Sequence, residues 1–200
     1  SVLRSAGGLD SGLVTGFEAE LIGQGIGIMG LLHRLRPTYD GGSGPETIIL
    51  KSPVQDEGTR FVARTFMFYG KEVAFYRTAA DDSPLTTPRC FAADHDSEND
   101  EFVLLLEDLA DAEVASQLDG CPLDLAEASI RALARHHAAF WESPAFDAEL
   151  SWVPYGWDPP MPQGVQHGVA TAWEPFLAAF GDHLGDDIRA IGEGFPAAAE

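Results

Sequence analysis

The sequence predicts an α+β fold, in which an antiparallel sheet in the first half of the chain is followed by helices. Three observations predict it. Residues 17–21 alternate apolar and polar side chains, as a half-buried strand does, and a glycine-rich turn follows them. Residues 47–51 form a β-branched run typical of a strand, which ends in Lys51. From 57 to 80, aromatic and aliphatic residues recur at helical spacing, which predicts one long helix.

The glycine-rich turn at 23–30 (Gly-Gln-Gly-Ile-Gly-Ile-Met-Gly) is the first candidate site. Glycine has no Cβ, so backbone there bends sharply and comes close to a ligand, and successive N–H groups form a nest for an anion. A lysine supplies a compact positive charge for phosphate oxygens. The turn together with Lys51 therefore indicates the lid of a nucleotide site. Two glycine registers stay open, one built on Gly23 and Gly25 and the other on Gly25, Gly27 and Gly30.

Two kinds of protein use such glycines. A dinucleotide-dependent oxidoreductase requires a helix that starts at the turn and an acidic residue about 20 positions later. Here the segment after the turn, 31–36, is stopped by Pro37, whereas a crossover helix needs more length. A second turn at 39–45 then leads into the strand with Lys51. The resulting order is that of protein-kinase-like folds: strand, glycine turn, strand, turn and a strand that bears the lysine. The dinucleotide-dependent oxidoreductase is the alternative.

Composition argues against several kinds of partner. The formal net charge is −20, from 12 Lys and Arg against 32 Asp and Glu, which disfavours nucleic acid and anionic membranes because both bind basic surfaces.

No apolar run approaches the roughly 18 residues of a membrane span, and no signal peptide is visible, so the cytoplasm is expected. Cys90 and Cys121 lack metal-ligand spacing, and no metal site is predicted, although a disulfide between them stays open.

Two further features bear on a nucleotide site. Glu72 shares the apolar stripe of the predicted helix, where a carboxylate needs a partner. That partner is Lys51, or else Glu72 is exposed beside Lys71. The apolar strand at 102–106 reads as buried on both faces and runs into Glu107-Asp108-Leu109, which is either an acidic loop or a hinge whose backbone groups bind an adenine edge.

Amphipathic patterns predict two later helices, at 125–141 and 169–184. A segment rich in proline and aromatic residues, 152–164, separates them. It is either a connector packed on a surface or part of a ligand wall.

Several of these motifs carry a family resemblance in their order and spacing. They are the glycine turn, the strand Ile-Ile-Leu-Lys that ends at Lys51, Lys-Glu-Val-Ala-Phe-Tyr at 71–76, Leu-Leu-Leu-Glu-Asp-Leu at 104–109, and Leu-Ala-Arg-His-His-Ala-Ala-Phe-Trp at 133–141. Over roughly residues 15–155 the chain resembles the small-molecule kinases of the aminoglycoside phosphotransferase and choline kinase type, and it is nearest to the ecdysteroid-kinase-like branch.

The resemblance implies a bilobal kinase-like fold: an N-lobe at 1–106, a hinge at 107–111 and a partial helical C-lobe at 112–200. It implies that ATP and Mg²⁺ are used to phosphorylate a hydroxyl group on a small molecule. By position, Lys51 would hold the α- and β-phosphates and Glu72 would orient it. Glu107 and Leu109 would offer backbone groups to adenine.

The sequence departs from the family at the catalytic loop. The family has His-Gly-Asp followed by an Asn, and a metal-binding Asp comes later; here His167-Gly168 is followed by Val169. The ligands for Mg²⁺ are therefore expected outside this chain. Three interpretations stay open: a truncated product, a partial sequence, and a non-catalytic nucleotide-binding or interaction module. We expect no phosphoryl transfer by residues 1–200, and apolar helix faces that favour self-association.

Overall fold

The computed structural model describes residues 2–23, 29–112, 120–156 and 158–198. The chain divides into two compact units, Ser1–Trp152 and Val153–Glu200. None of the helices in the described ranges is long and apolar enough to cross a membrane.

The first unit is built on a five-stranded sheet with the order β1-β2-β3-β5-β4. Every pair of neighbouring strands is antiparallel. The strands are β1 (Leu13–Ile22), β2 (Gly30–Asp40), β3 (Ile48–Pro53), β4 (Cys90–Asp96) and β5 (Glu101–Glu107). The predicted α+β class is confirmed.

The dinucleotide alternative is wrong. Gly30 begins β2, which pairs with β1 in an antiparallel ladder that runs from Ile22 and Leu32 to Leu13 and Asp40. The dinucleotide fingerprint instead needs a helix that opens at the glycines, so that its N-terminus faces the pyrophosphate. A strand at this place removes that arrangement.

The described ranges contain six α-helices. The first unit contains α1 (Val2–Ser5), α2 (Glu57–Thr65), α3 (Phe68–Thr78) and α4 (Leu123–Phe140), and the second contains α5 (Met161–Phe180) and α6 (Asp186–Ala198). Short 3₁₀ turns lie at Pro144–Asp147 and Gly181–His183. The helix predicted at 169–184 thus starts earlier, at Met161, and α1 and α6 lie where no helix was predicted.

The single helix predicted for 57–80 is wrong, because the structure contains α2 and α3 in its place. The last turn of α2 tightens, since the N–H of Met67 donates to the carbonyl of Arg64, and Met67 takes a left-handed conformation with φ 54°. The apolar stripe does not bury as one face: Phe61 on α2 is 69% exposed, while Tyr69 on α3 is 1% exposed. The break lets α3 turn Tyr69 and Val73 into the core independently of α2.

The sheet packs a core on each face. One cluster joins α2 and α3 to β5. In it the rings of Tyr69 and Phe102 stack with their centroids 4.5 Å apart. Its buried members are Ala63, Tyr69, Val73, Phe102, Leu104 and Leu106. Because strand residues alternate between faces, Leu105 packs on the other side, against a second cluster of Leu3, Leu9, Leu35, Ile48 and Phe91. The α3 face is the one that carries the candidate site.

The helices α4 and α5 contain no buried residue among those described. Ile130, Leu133 and Trp141 are exposed in and just after α4, and Phe176 and Phe180 are exposed on α5. This agrees with the apolar exposure expected for these helices. Self-association through them stays a prediction.

Candidate functional site

Lys51 lies in the middle of the sheet. It is in β3, opposite Leu32 of β2 and Leu104 of β5. Leu104 belongs to the cluster under α3, and its neighbour across the ladder projects to the same face. The strand register therefore directs the ammonium group of Lys51 toward α3.

Glu72 of α3 receives that ammonium group. Nζ of Lys51 lies 2.6 Å from Oε1 and 2.8 Å from Oε2 of Glu72. Tyr69 and Val73 anchor the buried side of α3, which leaves Glu72 beside them at the edge of the helix–sheet interface. The two charged side chains are 24% and 30% exposed, so the pair is shielded but open to a ligand. The ion pair expected from the sequence is present, and the exposed alternative for Glu72 is wrong.

Gly30 supplies the space through which the stem of Lys51 passes. A Cβ on Gly30 would lie 2.8 Å from Cε and 3.3 Å from Cγ of Lys51, closer than such atoms pack. At the other end of the turn, Gly23 has φ +67°, a left-handed conformation in which glycine is favoured. Gly25 and Gly27 lie outside the described residues, so the choice between the two glycine registers stays a prediction.

Glu107 ends β5, at the start of the predicted hinge. Its N–H donates to the carbonyl of Arg89 at 2.8 Å, and the N–H of Arg89 donates to Oε2 of Glu107 at 3.0 Å. Two residues on, Leu109 is 45% exposed, and its carbonyl accepts from the N–H of Ala112 at 2.9 Å. The adenine-binding role of Glu107 and Leu109 stays a prediction.

A second ion pair, which sequence reasoning missed, links Arg34 and Asp108. Nε of Arg34 lies 2.5 Å from Oδ2, and Nη2 lies 3.2 Å from Oδ1, a bidentate geometry. The Asp108 side chain is 4% exposed and that of Arg34 is 25% exposed. The hydrogen bonds from Arg34 hold the pKa of Asp108 below its ordinary value, against the opposing effect of burial, and they also raise the pKa of Arg34.

The strand register explains why this pair was missed. Arg34 lies opposite Ile49, which in turn lies opposite Leu106, two residues before Asp108. A guanidinium on β2 therefore reaches over β3 to the end of β5, across 74 positions of sequence. The only signal in the sequence was the acidic residue within the hinge motif, and nothing there indicated its partner.

The described residues contain no group of three or more His, Cys, Asp or Glu side chains placed to hold a metal ion. His167 and Gly168 lie inside α5, in the second unit, and not in a loop. Their helical position agrees with the departure from the catalytic-loop sequence.

An antiparallel sheet whose central lysine pairs with a glutamate on an adjacent helix is typical of kinase-like proteins. A comparison with family models finds the ecdysteroid kinase-like family over residues 24–141, more than half of the chain. The chain belongs to the ecdysteroid kinase-like family. No curated protein and no solved structure matches it.

Proposed function

We propose that this chain is the nucleotide-binding part of an ATP-dependent phosphotransferase whose acceptor is a hydroxyl group on a small molecule. Membership of a kinase-like family sets the general chemistry. The observation that carries the proposal is the Lys51–Glu72 pair, held next to Gly30 at the end of the glycine turn. In the same proposal, residues 1–106 form an N-lobe, 107–111 a hinge and 112–200 part of a helical C-lobe, and the protein works in the cytoplasm.

The site chemistry suits a polyphosphate. Lys51 is one of two lysines in an acidic chain, and Glu72 orients its ammonium group without burying it. Because a Cβ at position 30 would collide with the lysine stem, a glycine there lets the backbone at the end of the turn lie close to that stem. Phosphates placed there would receive a charge-assisted contact from Lys51, together with backbone N–H groups of the turn.

ATP, when bound, supplies the phosphoryl group that is transferred. Lys51 holds its α- and β-phosphates, and Glu72 keeps the Lys51 side chain in place for that contact. Gly23, Gly25, Gly27 and Gly30 are the proposed glycines of the phosphate lid. The backbone groups of Glu107 and Leu109 are proposed to meet the edge of adenine. This reaction depends on positioning and charge neutralisation more than on covalent chemistry by the protein.

Magnesium does not fit the described residues in the same way. They offer no group of three carboxylates, histidines or cysteines around one point. We therefore propose that protein ligands for Mg²⁺ come from outside this chain.

The second candidate function is a non-catalytic nucleotide-binding module. It is favoured by one observation: no histidine in the 200 residues is followed two positions later by an aspartate. Without that aspartate, nothing is placed to accept the proton of the acceptor hydroxyl. The two candidates share nucleotide binding and differ in phosphoryl transfer.

Calorimetric titration of residues 1–200 with ATP, in the presence of magnesium, tests the shared proposal. We expect saturable binding with one site that ADP competes for and NAD does not. Absence of saturable ATP binding at millimolar concentration would overturn both candidates. Radiolabelled ATP incubated with small alcohols tests transfer: both candidates predict that this chain transfers no phosphate, and magnesium-dependent transfer by it would remove the non-catalytic candidate.

Replacing Gly30 with valine tests the space around the lysine stem. We expect ATP affinity to fall about tenfold, because the added side chain displaces Lys51 from Glu72 and crowds the phosphates. The matched control is Gly16→Val, since a Cβ on Gly16, also in a strand, meets no atom within 4 Å. Equal affinities in the two folded variants would contradict the role assigned to Gly30.

A further inference from the structure

Asp108 stands between Glu107 and Leu109, the two residues proposed to bind adenine, yet its carboxylate faces the protein. The side chain is 4% exposed, and both oxygens accept from Arg34, at 2.5 and 3.2 Å. A carboxylate used in this way is not available to a ligand. The ion pair of this carboxylate therefore acts on the backbone of Asp108 itself, by restricting its position.

The bidentate geometry restricts that backbone strongly. A guanidinium that donates two parallel hydrogen bonds fixes the plane of a carboxylate as well as its distance, which a lysine ammonium does not do. Arg34 is itself fixed by the ladder, since β2 pairs with β1 on one side and with β3 on the other. The sheet thus provides a rigid anchor for Asp108.

Glu107 is held from a different direction. Its N–H and its carboxylate both bond to the backbone of Arg89, at 2.8 and 3.0 Å. Consecutive residues are therefore tied to opposite sides of β5, Glu107 on the β4 side and Asp108 across β3 to β2. These two sets of hydrogen bonds restrain the backbone on either side of Asp108.

We propose that Arg34 is a positioning residue for base recognition. Through Asp108 it orients the backbone groups of Glu107 and Leu109 toward the edge of adenine, so the choice of base depends on this ion pair. Binding of the phosphates does not depend on it, because that contact belongs to Lys51 and the glycine turn. The inference rests on the proposed function, and it adds the source of specificity within that site.

The test compares ligands with and without the base. The 200-residue chain, Asp108→Asn and Arg34→Lys are titrated with ATP, GTP and inorganic tripolyphosphate, with magnesium present. In both variants ATP affinity should fall about tenfold, while tripolyphosphate affinity changes by less than about twofold. The reason is that the Arg34–Asp108 contact affects binding of the base and not binding of the phosphates. The advantage of ATP over GTP should shrink by the same factor as the ATP affinity.

The matched control is Asp94→Asn, which removes an exposed ion pair of the same kind, Arg77–Asp94 at 2.7 Å. It should leave all three affinities unchanged. Arg34→Lys keeps the charge and removes only the bidentate geometry, so it separates orientation from simple electrostatics.

Each outcome decides the inference. An equal loss of ATP and tripolyphosphate affinity would mean that the Arg34–Asp108 pair supports the fold or the electrostatic potential of the site. That result would overturn the role in base recognition. Unchanged ATP affinity in both variants would also overturn it, as would wild-type protein that binds ATP no better than tripolyphosphate. Wild-type protein that binds none of the three ligands would overturn the proposed function itself, which is a different result from ATP binding that is indifferent to Asp108.

Discussion

Replacing Lys51 with methionine is expected to weaken ATP binding about 100-fold, since a charge-assisted phosphate contact is lost and the Glu72 carboxylate remains without its partner. The unpaired carboxylate would repel the phosphates that the ammonium group had attracted. Titration with a fluorescent ATP analogue measures the effect. Circular dichroism checks that the variant is folded.

The chain offers a close control in Lys71, its only other lysine, which lies next to Glu72 on α3. Lys71→Met changes the net charge by the same amount and should leave the affinity within about twofold, because general charge effects at a surface are small. The double variant Lys51→Met with Glu72→Gln should bind ATP better than Lys51→Met alone. Equal affinity in wild type and Lys51→Met would remove Lys51 from the site.

Replacing Leu104 with alanine is expected to lower the free energy of unfolding by about 2–5 kcal/mol. Leu104 is fully buried at 0% exposure, lies opposite Lys51 in the sheet, and packs in the cluster that holds α3. A loss of this size is a large part of the stability of an ordinary domain, about 5–15 kcal/mol. Urea denaturation followed by circular dichroism measures it.

Leu13→Ala provides the comparison, because Leu13 is also in a strand but is 62% exposed. We expect it to change the free energy of unfolding by less than about 0.5 kcal/mol. A loss below about 1 kcal/mol in Leu104→Ala would show that the cluster under α3 contributes little to the stability of the fold, although Leu104 is fully buried.

Much of the sheet could be predicted because local chemistry marks it. Alternating side chains indicated β1, β-branched residues indicated β3, and a short apolar run indicated β5. Helix boundaries were less well marked. The continuous aromatic pattern at 57–80 concealed the break at Met67, because periodicity reports which residues are apolar and not which of them the fold buries.

Of the two ion pairs of the candidate site, one could be predicted from the sequence and the other could not. Lys51 and Glu72 could be proposed as a pair from the sequence, since each lies in an apolar setting in which burial without a partner is costly. Arg34 and Asp108 could not be paired. Arg34 is one of several arginines in the chain, and only the register of three strands brings it over β3 to the end of β5.

The sequence by itself therefore determined the α+β class, the glycine-rich turn, the lysine strand and the absence of a His-x-Asp catalytic motif from these 200 residues, because these are properties of residue type and spacing along the chain. Only the tertiary structure decided that α2 and α3 are separate, that Gly30 makes room for the stem of Lys51, and that Asp108 is tied to β2. The physical reason is that these features depend on register and helix rotation. Both are set by the simultaneous packing of distant segments, which local patterns do not contain.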